Sequence, residues 1–99
     1  MNFLKHKTTQ VGEYWVKSLD ANTTVDAMDY MANAAKDNKQ SIELFVLVCC
    51  RCLCNEQGER VFTDEQMDQV RTAPLKNLQD CCMAALELSG LFDRDWETN

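Results

Sequence analysis

The hydrophobic pattern of this chain is dominated by one run. Residues 41–53, S-I-E-L-F-V-L-V-C-C-R-C-L, carry charge only at Glu43 and Arg51. Over such a run a buried strand and a buried helix look alike, and length separates them. With its polar lead-in from Asp37, the segment extends over about 17 residues, well beyond a strand of roughly 5 to 6. It predicts a helix buried nearly all round and ending near Cys54, with the rest of the domain packed about it.

The other elements are read relative to this post. Residues 1–10 are polar and form a loose lead. In residues 12–19, G-E-Y-W-V-K-S-L, Trp15 and Leu19 stand four apart, as on one helix face, and predict a short helix. Thr23 and Asp26 have N-cap spacing for a second helix reaching about Lys36, with Val25, Met28, Met31, Ala32 and Ala35 as its inner stripe. Asp37-Asn38 breaks that helix and caps the central one. Beyond it, Asn55-Glu56-Gln57-Gly58 is a turn, and E-R-V-F at 59–62 is a short extended piece that tucks Val61 and Phe62 onto the core. Thr63 and Gln66 fit a capping box, opening a short helix to about Arg71 with Met67 and Val70 inward. Pro74 opens the last helix. Its stripe is Leu75, Leu78, Cys82, Ala85 and Leu86, with Cys81 and Leu88 at the margins, and Gly90 closes it in a left-handed cap. The expected fold is all-α: a small bundle of four to five helices around a buried central helix, with at most one short extended segment. It is expected to form a single domain over residues 1–99, flexible at 1–10 and 92–99.

Composition narrows the function classes. At 99 residues the chain suits one domain that buries roughly 60 to 68% of its unfolded surface. Its net charge of −6, with no Lys/Arg run, argues against nucleic acid as a partner. The apolar run falls short of the about 20 residues a membrane helix takes. The N-terminus, M-N-F-L-K-H-K-T-T-Q, lacks the apolar run of a signal peptide. The expected compartment is therefore the cytosol, where the six cysteines stay as thiols and pack as small hydrophobes.

Four kinds of chemistry are weighed on the residues. Cys49-Cys50-Arg51-Cys52 contains C-x-x-C, and Cys81-Cys82 offers further thiolates. Zinc sites present such pairs on turns, however, whereas here one set lies in an apolar helix and the other is an adjacent pair, splayed about 100° apart. His6 is the single histidine and sits far from them. A calcium loop aligned on Gly58 puts Leu53 at position 1 and Asp64 at position 12, where Asp and Glu belong. For catalysis, Asp64, Glu65 and Asp68 read as first-turn charges, and Cys54 is the thiol placed to be partly exposed. No cofactor, metal or catalytic residue is expected. A partner surface is the remaining reading: Tyr14, Trp15, Phe92 and Trp96 are aromatic residues in peripheral segments, the type enriched in interfaces, with Trp15, Phe92 and Trp96 as the expected partner residues. For Trp15, closing the core competes with binding.

The stretch C-L-C-N-E-Q-G-E-R-V-F-T-D-E-Q-M, followed by L-K-N-L-Q-D-C-C-M-A-A-L-E-L-S-G-L, resembles the tail assembly chaperones of long-tailed bacteriophages. The shared parts are an apolar helix (42–54), an acidic turn with Gly (55–58), a Leu/Val-Phe-Ser/Thr-Asp-Glu segment (61–65) and a helix closed by Leu-Ser/Asn-Gly-Leu (75–91). Many relatives carry a β-forming segment near the N-terminus, for which the first ten residues here look too short and polar. The resemblance implies a mainly helical, non-enzymatic protein of the host cytoplasm that is left out of the finished virion. It implies a chain that self-associates, binds the tape measure protein and recruits tail tube subunits. It also implies that a frameshifted longer form would extend from near residues 92–99. The residues alone leave two alternatives open: a cytosolic helical adaptor or regulatory module, and a cysteine-based metal or redox protein.

Overall fold

The computed structural model describes residues 3–90. Among them the chain forms β1 (Thr8–Val11), β2 (Tyr14–Lys17), α1 (Ala21–Asn33), α2 (Asn38–Cys52), β3 (Leu53–Cys54), a 3-10 turn (Asp64–Gln66), α3 (Met67–Val70) and α4 (Leu75–Leu88). The strands make one antiparallel sheet in the order β1-β2-β3. The fold is therefore α+β, and the all-α expectation is overturned.

The error lies in residues 8–17. Thr8, Thr9, Val11, Tyr14, Trp15 and Val16 are β-branched or aromatic, the types that suit a pleated, half-buried surface. Val11 pairs with Tyr14 across a two-residue loop. Gly12 supplies φ +60 there while Glu13 does not leave negative φ, the pattern of a type II′ hairpin turn. The Trp15–Leu19 spacing was one coincidence over a segment too short to show a helical period. The polar lead is fastened as well: Ser18 N donates to Lys7 O at 2.9 Å, and His6 Nδ1 lies 2.7 Å from Ser18 O.

The central post is present. Asp37 Oδ1 accepts from Lys39 N at 2.9 Å and caps α2. Leu44, Val46, Leu47, Val48, Cys49, Cys50 and Cys52 are all buried, while Phe45 is half-buried. The helix stops at Cys52, because Leu53 and Cys54 turn extended and pair with β2, Val16 opposite Leu53 and Trp15 opposite Cys54. The E-R-V-F piece is extended too. Val61 N donates to Leu53 O at 3.1 Å, but Val61 stays exposed instead of joining the core.

Helix α1 differs in rotation. Its cap is Asp20, whose Oδ1 accepts from Thr23 N at 2.8 Å, so the helix starts ahead of Thr23. Its buried positions are Thr23 and Ala27, with Tyr30 and Met31 packed against the core margin. The expected stripe is corrected accordingly: Val25 and Met28 are 65% and 51% exposed, and Ala32 is exposed with them. Thr23 tolerates burial because Arg51 Nη1 donates to its hydroxyl at 3.2 Å, leaving no orphaned polar atom.

The C-terminal half follows the sequence closely. Thr63 and Gln66 make the capping box, which opens the 3-10 turn that leads into α3. In α4, Leu78, Cys81, Cys82, Ala85 and Leu86 are buried; Leu75 is exposed. Gly90 holds φ +76 just past the helix end. Arg51 joins three elements by ion pairs to Asp26 at 3.2 Å and Asp64 at 2.9 Å, and Arg60 reaches the same Asp64 at 2.9 Å.

Candidate interaction surface

Alternation along β2 divides its side chains between the two faces of the sheet. Val16 is fully buried and belongs to the core. Trp15, of opposite parity, stands on the far face beside its pairing partner Cys54. Here an open cleft of about 410 Å³ is lined by Glu13, Tyr14, Trp15, Leu53, Cys54, Val61 and Phe62, with Asn55 and Glu56 completing the rim. Tyr14, Leu53 and Phe62 also line a neighbouring hollow of about 140 Å³, walled by Pro74, Asn77 and Cys81. Asn77 Nδ2 donates to the Tyr14 hydroxyl at 3.3 Å and so joins α4 to the hairpin end. The lining is mostly apolar with carboxylates at the edge. Such a cleft can take an apolar or aromatic side chain from another molecule.

The second surface is the outward face of α1. Val25, Met28 and Ala32 follow one another at spacings of three and four, so they form one ridge on the helix. Asp26 and Asp29 flank it and, with Tyr30, Leu47, Arg51 and Met67, line a polar groove on the adjacent side. An apolar ridge bordered by charge is the pattern of a protein contact.

The expected partner residues fall out as follows. Trp15 is half-buried in the cleft, so it both covers Cys54 and offers a face to a visitor. Phe92 and Trp96 lie outside the described residues. Tyr14, the peripheral aromatic next to Trp15, lines the same cleft; sequence reasoning missed Leu53 and Val61 as their companions, because the helix assigned to residues 12–19 hid the pairing that assembles them. An aromatic pair followed by Val, two residues after a Gly, was the available signal.

The thiols are built into the core. All six cysteines are buried, including Cys54, whose expected partial exposure is corrected by the cover of the sheet. Burial pushes the Cys52 and Cys82 thiols up to about 12 and Cys49 higher still, each helped by neighbouring thiols. Cys49 Sγ donates to Leu78 O at 3.2 Å. Among the described residues no three or more His, Cys, Asp or Glu side chains are grouped to hold a metal ion. No helix among them is long and apolar enough to cross a membrane.

A scan against protein-family models finds no match, and a search of curated proteins finds no match either. Among solved structures, the tail assembly chaperone of bacteriophage HK97 is similar to this chain with a TM-score of 0.61. The match covers 85% of this chain and 84% of that one at 19% identity. The two share a fold.

Proposed function

We propose that this chain is a phage tail assembly chaperone, which binds the tape measure protein and recruits tail tube subunits while a tail is built. The observation that carries the reading is the fold shared with the HK97 tail assembly chaperone over 85% of the chain. The order of motifs along residues 40–91 supports it as well. The surfaces agree with the role. A carrier of an apolar helical client needs accessible apolar surface on a soluble body, and the Val25–Met28–Ala32 ridge on an acidic domain supplies it. The Trp15 cleft adds an anchor pocket, where a buried aromatic contact contributes most per residue. The contacts are separate and partly polar-edged, which suits a protein that self-associates and must also let its client go. It works in the host cytoplasm and is left out of the finished particle.

The test is co-expression with the tape measure protein of the same phage. The expected result is a tape measure that stays soluble and is recovered with this chain. A tape measure that precipitates equally with and without this chain would refute the reading and leave a regulatory adaptor in its place.

A further inference from the structure

The sheet has one edge that no described strand covers. β1 lies at the end of the order β1-β2-β3. Val11 faces Tyr14 next to the turn, and Thr9 faces Val16. These are the pairs that exchange ladder bonds with β2, and the bond from Ser18 N to Lys7 O at 2.9 Å continues their rhythm. The N–H and C=O groups of Thr8 and Gln10 therefore point away from β2. Edge strands that stay single are blunted by a charge, a proline or a bulge. Thr8–Val11, T-T-Q-V, has no charge and no proline, and its register with β2 is unbroken.

We propose that the occupant of this edge is β1 of a second copy of this chain, added antiparallel about a two-fold axis at Thr9, so that the two sheets join into one. The register follows from the bonding groups. With Thr9 opposite Thr9, Thr8 of each copy faces Gln10 of the other, and every outward N–H of these residues meets an outward C=O. Centring the axis on Gln10 instead sets Thr8 against Gly12, whose φ of +60 takes it out of the strand. Centring it on Thr8 sets Gln10 against His6, ahead of the strand. The contact is isologous, so it covers the open edge of both copies at once.

Charge complements the pairing. Residues 7, 9 and 11 share one face of the strand, the face turned to the core, since Thr9 stands opposite the buried Val16. Beside it lies a groove of about 300 Å³ lined by Thr9, Gln10, Val11, Ala84, Glu87 and Leu88. In the register centred on Thr9, Lys7 of one copy stands opposite Val11 of the other. Its aliphatic stem then covers the apolar lining while its ammonium is directed to Glu87. Neither Lys7 nor Glu87 has an ion-pair partner among the described residues, and the two-fold axis gives both copies the same new pair. The ends of the strand agree. Lys5 and Lys7 precede β1 and Glu13 follows it, so antiparallel alignment brings unlike charges together and parallel alignment brings like ones.

The pairing gives the self-association proposed above its face, yet it depends on the edge alone, so dimer formation and tape measure capture are scored separately. Sedimentation of the full-length chain should show a dimer that dissociates on dilution. Gln10→Pro removes an outward N–H without touching the β1–β2 ladder, and should weaken association by about tenfold or more while the monomer keeps its melt. Lys7→Glu should also weaken it, and adding Glu87→Lys should restore it, which a merely disturbed fold would not. Thr9→Cys gives a readout by gain: facing residues between two bonded pairs lie about 4.5 Å apart at Cα, within reach of a disulfide, so mild oxidation should yield a covalent dimer. A chain that stays monomeric at every concentration, or a Thr9→Cys chain that does not cross-link, overturns the proposal. So does an oligomer indifferent to Gln10→Pro and to the charge swap, because a different face then holds it.

Discussion

Helices α1 and α2 pack against each other, have similar lengths of 13 and 15 residues, and use apolar residues to opposite ends. In α2, Val46, Val48, Cys49, Cys50 and Cys52 are at most 1% exposed, and the charged groups Glu43 and Arg51 serve as ties to neighbours at the margins. In α1, the larger apolar side chains Val25 and Met28 face solvent, while a threonine and an alanine face inward. Small inward residues let the two helix axes approach closely, and Arg51 satisfies the Thr23 hydroxyl. One helix holds the domain together; the other keeps Tyr30 and Met31 against the core and presents Val25 and Met28 as a surface. Apolar residues at helical spacing thus mark a face, and only packing decides whether that face is core or contact.

Mutations sharpen this contrast, the largest effect first. Leu47→Ala should destabilise by about 2 to 5 kcal/mol in denaturant melts, as for a large buried side chain. Val25→Ala and Met28→Ala should stay within about 0.5 kcal/mol of the native chain; equal effects in the two helices would dissolve the distinction. Asp20→Ala should remove about 0.5 to 2 kcal/mol by stripping the α1 cap. That contribution has a pH signature. The backbone N–H of Thr23 holds the Asp20 carboxyl below its ordinary value. A carboxylate lowered on folding stabilises above its unfolded pKa of about 3.9, and the gain disappears as pH falls through the folded value. The native chain should therefore lose stability at acid pH more steeply than Asp20→Ala. The smallest expected effect is Arg71→Ala, which breaks exposed pairs to Glu43 at 2.7 Å and to Asp68. Calorimetry should register only a slight loss of stability, reduced further by salt.

The thiols extend the same comparison from packing to chemistry. With Cys52 and Cys82 pushed up to about 12 by burial, alkylation by iodoacetamide at pH 8 should be negligible in the folded protein and complete in denaturant, since the thiolate is the reactive form. Rapid labelling of the native chain would mean that the core is open.

Much of the helical half was legible in the sequence. The length of the apolar run around Val46 signalled a buried helix, and the Thr63–Gln66 box and Gly90 marked their elements with local chemistry that needs no tertiary context. The hairpin was not legible by the same means. Residues 8–17 offer strand-forming side chains and a Gly, but four-residue strands carry too little periodicity to outweigh one i,i+4 coincidence, and β2 is held in place by Leu53 and Cys54 from far along the chain. Helix α1 was found but turned the wrong way. Thr23 and Val25 differ by about 200° around the axis at 100° per residue, so choosing the more hydrophobic stripe chose the wrong face. The Trp15 cleft was half seen: Tyr14 and Trp15 stood out, while Leu53 and Val61 depended on the sheet.

The most direct measurement is capture of the tape measure protein by Val25→Glu with Met28→Glu, beside the native chain. The variant should fold with a native melt, because neither side chain is buried, and should fail to keep the tape measure soluble. Undiminished capture by a folded variant would contradict the proposal that the α1 ridge is the client contact.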